Sequence, residues 1–173
     1  LTGNSFFTFV GTGKVINIVG DVTLSGASWN NSNSVTISGA DGKLSLAASA
    51  VIQNQSAGKF EITGSQATPL SGSSGTSFQN SGIVKKNVSG IQTLDLMFTN
   101  PSGGTIQSSG GGTLLLSSLS SSSGKLWLDS SNIATSQNSL TNSATTGIIE
   151  GQGTLTINGG GTLLNNGTLS PGG

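Results

Sequence analysis

Apolar and polar residues alternate along this chain in short runs, each closed by glycine or by a cluster of small polar residues. The C-terminal part shows the phrase most plainly. It reads Gly153, Thr154, Leu155, Thr156, Ile157, then Gly161, Thr162, Leu163, Leu164, Asn165, Asn166, then Gly167, Thr168, Leu169, Ser170, Pro171, Gly172. A two-residue period sends successive side chains to opposite faces, so each run predicts a strand with one apolar face. Strands this short cannot bury that face alone, and their recurrence predicts copies that stack and cover one another. The expected fold is all-β: a single β-solenoid domain over residues 1–173, a parallel β-helix of roughly 20-residue, three-strand rungs.

Strand candidates occupy residues 14–18, 22–24, 35–37, 43–46, 51–54, 59–62, 78–85, 94–99, 105–107, 113–116, 125–128, 148–150, 154–157 and 162–164. Between them, Gly20 with Asp21 and residues 30–33, 39–42 and 56–58 read as turns that supply positive φ or side-chain hydrogen bonds to the backbone. The most helix-permissive patch, 47–50, is short and flanked by strand formers, so it reads as a corner. Phe78, Asn80 and Gly82 recur as Phe98, Asn100 and Gly103. That interval suits one rung, with the two phenylalanines stacked inside and the two asparagines forming an amide ladder at a turn. Residues 64–75 read as a loop extruded from a rung, and 117–123 as a solvated corner.

Alternation places Leu126, Leu128, Leu155, Ile157 and Leu163 inward, with Lys125, Trp127, Thr154 and Thr156 outward. An outward indole at Trp127 either packs under a loop or meets a ligand.

Charged residues form only 7% of the chain, and six lysines balance six acids. With no arginine fork and no tyrosine, neither phosphate recognition nor a base-stacking platform is expected, and nucleic acid is set aside as a partner. The absence of Cys and His removes thiolate and imidazole chemistry. Asp21, Asp41, Glu61, Asp95, Asp129 and Glu150 stand singly, so no carboxylate pair, metal cluster or cofactor site is expected, and the chain reads as noncatalytic. Gly11, Thr12, Gly13 and Lys14 lack the first glycine of a phosphate loop, and Val15 replaces its hydroxyl residue. No apolar run is long enough for membrane insertion.

The run Gly167, Thr168, Leu169, Ser170, Pro171, Gly172, with 153–157 before it, resembles the passenger β-helices of bacterial autotransporters and related large exported adhesins. The specific match covers roughly the last twenty residues. The resemblance implies a right-handed β-solenoid at the bacterial cell surface or outside the cell, a segment of a longer exported protein that serves as stalk, adhesive surface or scaffold. It implies no catalytic residues. The leading expectation is therefore a structural or adhesive segment, able to associate with itself end to end or laterally, or with surface polysaccharide. A second class is a glycan- or surface-binding module, including an ice-binding-like one, with Trp127, Trp29, Thr154 and Thr156 as candidate contacts. A polysaccharide-acting enzyme is the third, since residues distant in sequence can meet on neighbouring rungs.

Overall fold

A computed structural model describes residues 6–8, 13–143 and 145–172, and over them the chain winds as a parallel β-solenoid of about seven turns. The first turn comprises β1 (Phe6–Thr8), β2 (Val15–Ile18) and β3 (Asp21–Ser25); the second, β4 (Ser28–Asn31), β5 (Ser34–Ile37) and β6 (Lys43–Ala47). The third holds β7 (Val51–Asn54), β8 (Lys59–Ile62) and β9 (Leu70–Gly72); the fourth, β10 (Ser77–Asn80), β11 (Ile83–Asn87) and β12 (Ile91–Asp95). Next come β13 (Met97–Thr99), β14 (Thr105–Ser109) and β15 (Thr113–Leu116), then β16 (Ser121–Ser122), β17 (Lys125–Leu128) and β18 (Asn132–Thr135). The chain continues through β19 (Ser139–Asn142), β20 (Ile148–Gly151) and β21 (Leu155–Ile157) to β22 (Thr162–Asn165) and β23 (Thr168–Pro171).

Three faces result. Face 1 stacks β1, β4, β7, β10 and β13, then crosses a single bridge from Asn100 to Ser122 into β16, β19 and β22. Face 2 stacks β2, β5, β8, β11, β14, β17, β20 and β23, and face 3 runs from β3 to β21. Because every pairing is parallel and in phase, each inward side chain lies on its counterpart in the next turn.

The interior follows from that stacking. An aromatic spine climbs through Trp29, Phe60, Phe78 and Phe98, with ring centroids 5.5, 5.0 and 5.1 Å apart. The expected Phe78–Phe98 pair is stacked, with its planes 6° from parallel. Beside the spine runs an amide ladder at the corner between faces 1 and 2. The Nδ2 of Asn31, Asn54 and Asn80 donates to the Oδ1 of Asn54, Asn80 and Asn100 at 2.8, 2.8 and 2.9 Å. Asn100 then donates to Ser122 Oγ at 2.9 Å, and Asn142 to Asn165 at 2.7 Å. Asn54, Asn80, Asn100 and Asn142 also donate to a carbonyl on face 2 of the next turn, as Asn80 Nδ2 does to Thr105 O at 3.0 Å, whereas Asn31 donates to Asn33 O of its own corner.

Glycine accompanies this ladder for steric reasons. A Cβ on Gly82, Gly104 or Gly124 would lie 2.2, 2.0 or 2.2 Å from a carbonyl oxygen of the turn before. Two of these carbonyls, those of Gly58 and Gly104, accept from Ile83 N and Lys125 N at 2.9 and 2.8 Å, so the corner backbones stand too close for a side chain.

Several expectations are corrected. The runs 78–85 and 94–99 each divide into two strands, because the corners at Ser81–Gly82 and at Leu96 turn the chain without a long polar interval. Residues 28–31, 132–135 and 139–142 are strands despite their polar content, since inward Asn31 and Thr135 find partners within the stack and Asn142 donates to Asn165 one turn on. The segment 64–75 is not an extruded loop. Leu70–Gly72 completes face 3 between β6 and β12, Leu70 is buried, and Gly64 N and Ser65 N bond back to Ile37 O and Gly39 O. The serine run 117–123 is likewise built in. Ser118 Oγ accepts from Phe98 N at 2.8 Å and donates to Leu96 O at 2.5 Å, standing in for a strand partner where face 1 is interrupted. Turns span 20 to 26 residues along the ladder, most of them longer than the interval expected.

One interior residue had no sequence signal. Lys86 is fully buried at a position occupied by Ile62 one turn earlier and Ser108 one turn later. Its ammonium donates to Val88 O, Gly111 O and, at 3.4 Å, Ser109 O, closing a corner that includes the left-handed Gly110, Gly111 and Gly112. Burial pushes its pKa down from 10.5.

Candidate functional site

Outward positions carry whatever chemistry the surface offers, and they differ between faces. On face 2 the central outward row reads Asn17, Thr36, Glu61, Lys85, Gln107, Trp127, Glu150 and Ser170. Lys59 and Lys125 project from the adjoining row, so much of this chain's sparse charge lies on one face.

Two ion pairs organise it. Lys59 Nζ meets Glu61 Oε2 at 2.7 Å on one strand, and Asn87 Nδ2 donates to the other Glu61 oxygen at 3.2 Å. Burial raises the Glu61 pKa, but the hydrogen bond and charge of Lys59, with Asn87 and Lys85, outweigh it and hold the carboxyl below 4.5. Between turns, Lys125 Nζ bonds Glu150 Oε1 at 2.9 Å and stands 5.9 Å from the centre of the Trp127 ring.

Trp127 therefore lies outward and half-buried, as the alternation predicts. Gln107 lies directly beneath it, and its Nε2 donates to Asp129 Oδ2 at 2.9 Å. A cavity of about 90 Å3 opens beside the ring, bordered by Trp127, Asp129, Ser130 and Gln152. Ser130 and Gly151, both at positive φ, shape its wall from adjacent turns. The arrangement joins a flat apolar surface to fixed hydrogen-bonding groups.

The other candidates separate from it. Trp29 is corrected from a surface contact to a core residue. It is 5% exposed and faces inward from β4, edge-on to Phe60, because its strand alternates in phase with the aromatic spine. Thr154 and Thr156 are exposed at face 3, where Thr156 pairs with Ala134 and Thr154 lies beside Asn132, so no threonine pair repeats beneath them. Leu155, Ile157 and Leu163 are half-buried and pack on the core, with Leu126 and Leu128 deeper. A cavity of about 210 Å3 among Leu128, Ile149, Leu155, Leu163 and Leu169 is largely aliphatic and continues the core past the last complete turn.

The acids do not converge as a metal site: among the described residues, no group of three His, Cys, Asp or Glu side chains could hold an ion. No described helix is long and apolar enough to cross a membrane. Of the rejected phosphate-loop segment, Gly11 and Thr12 lie outside the described residues. Sequence reasoning reached Trp127 but not Gln107 or Asp129. The only signal for them would have been the one-turn offset from Phe78 to Phe98, which applied to Trp127 points to Gln107.

No protein-family model matches this chain, and no curated protein or solved structure does so either.

Proposed function

We propose that this chain is a noncatalytic structural or adhesive segment of an exported bacterial surface protein, acting through an extended repetitive surface. One observation carries the reading: polar and charged side chains stand in register on successive turns of face 2, over an interior of stacked rings and amides. Such a surface meets an extended partner by repetition along the axis. The low charge offers little long-range repulsion between copies, which suits association of the chain with itself.

The test pairs imaging of the purified chain with adhesion to polysaccharide-coated surfaces and an assay for polysaccharide cleavage. Asp21→Asn, Asp41→Asn, Glu61→Gln, Asp95→Asn, Asp129→Asn and Glu150→Gln are assayed singly. Adhesion is expected to survive the four changes away from Trp127, with no cleavage by the parent chain. Cleavage lost with any one acid would replace this reading with an enzyme.

A further inference from the structure

We infer that face 2 carries a shallow subsite for one neutral hexopyranose of a polysaccharide, with Trp127 as its platform. The inference rests on the adhesive reading above and adds to it a ligand class and a place. A pyranose presents a face of C–H groups edged by hydroxyls, and its natural complement is an aromatic ring bordered by amides and carboxylates. Trp127 is the only aromatic residue in its row, and register places Gln107 one turn before it and Glu150 one turn after, about 4.8 Å to either side.

These rim groups are already oriented. The Gln107 amide holds Asp129 Oδ2 and leaves Oδ1 to accept from a ligand hydroxyl, while Lys125 braces Glu150 beside the indole. Pre-orientation of this kind removes part of the ordering cost of binding. The small cavity beside the ring has the polar lining that a hydroxymethyl group or a ring hydroxyl requires. Ser130 holds a left-handed φ of 55° there without being glycine, a conformation L side chains adopt only when the surrounding structure imposes it.

Charge selects the sugar. Near the ring stand Asp129, Glu150 and one lysine, Lys125; that lysine is committed to Glu150, and Asp129 is held only by the neutral Gln107. The local excess is negative, which repels uronic acids and phosphate-bearing polymers and favours neutral hexoses.

The experiment titrates the whole chain with cellohexaose, laminarihexaose and chitohexaose as neutral probes and with polygalacturonate as the anionic one, by calorimetry and tryptophan fluorescence. Saturable binding of a neutral probe is expected, weakened about tenfold or more by Trp127→Ala, partly retained in Trp127→Phe, and weakened less by Gln107→Ala or Asp129→Asn. Unchanged melting temperatures would confirm that these variants fold. Three results overturn the subsite: no neutral probe bound at millimolar concentration, binding indifferent to Trp127→Ala, or a preference for polygalacturonate. Surface adhesion separates the two inferences. Adhesion equal in the parent and Trp127→Ala removes the subsite and keeps the adhesive reading, whereas a parent chain that fails to adhere removes that reading itself.

Discussion

Asn142 shows what a single residue contributes to the ladder. Its Oδ1 is buried and accepts no hydrogen bond, because the residue one turn earlier is Ser122, whose hydroxyl turns to Gly124 O at 3.3 Å. Ser122→Asn would supply the missing Nδ2 donor and continue the run, so it is expected to stabilise the chain by about 1 kcal/mol in urea unfolding. Asn80→Ala should do the reverse. It removes donors to Asn100 and Thr105 O, takes the acceptor from one of the two N–H groups of Asn54 Nδ2 while the other keeps Ile83 O, and is expected to cost about 2–3 kcal/mol. Lys86 adds a pH signature. Its folded pKa lies below the unfolded value of 10.5, so between the two the unfolded chain binds more protons and stability rises with pH. Relative to Lys86→Met, the parent chain should gain stability as pH climbs through that window, measurable by denaturation at successive alkaline pH values.

Corners, more than strands, set the element-scale constraints. Gly104→Ala would place a methyl 2.0 Å from Asn80 O and is expected to cost more than about 2 kcal/mol, whereas Gly20→Ala meets nothing within 4 Å and should stay within about 0.5 kcal/mol. Thermal melts of the pair would show whether close approach of backbones governs this column. On the flat of face 2, Glu61→Gln tests the ion pair. A carboxyl held below its usual pKa stabilises above the unfolded value of 4.5 and loses that contribution as pH falls through its folded value. The difference between parent and variant should therefore be small at neutral pH, where Lys59 is partly solvated, and vanish in acid. These corners also mark where the sequence stopped being legible. Periodicity located Leu126 and Leu128 correctly, but it ran 78–85 together because Ser81 and Gly82 turn the chain in two residues. It also discounted 28–31, whose inward Asn31 looks solvent-loving until its ladder partner Asn54 is in place.

At the scale of the whole molecule, each turn contacts chiefly its neighbours, so stability is nearly a chain of similar interfaces. Amide exchange should expose the gradient. Backbone amides of β11 and β14, paired on both sides, are expected to exchange far more slowly than those of β22 and β23, which among the described residues pair on one side. Uniform protection along the axis would show instead that the turns open as one unit. The same gradient bears on core substitutions, and Leu126→Asp should destabilise more than Leu155→Asp because Leu126 is fully enclosed while Leu155 is half-buried.

Local alternation and its glycine punctuation were enough to specify strands, stacking, the Phe78–Phe98 contact and the outward position of Trp127, since a two-residue period assigns a face without knowledge of neighbours. The aromatic pair also marked one turn, so one rung of the amide ladder was legible at Asn80 and Asn100. Register over the remaining turns was decided only in three dimensions, because corner lengths vary and an offset of 20 to 26 residues has no local signature. That register brings Gln107 and Asp129 to Trp127, turns Trp29 onto Phe60, and encloses Lys86 among carbonyls. Each of these depends on contacts between residues far apart in sequence, where a polar side chain is buried because a partner arrives from the adjoining turn.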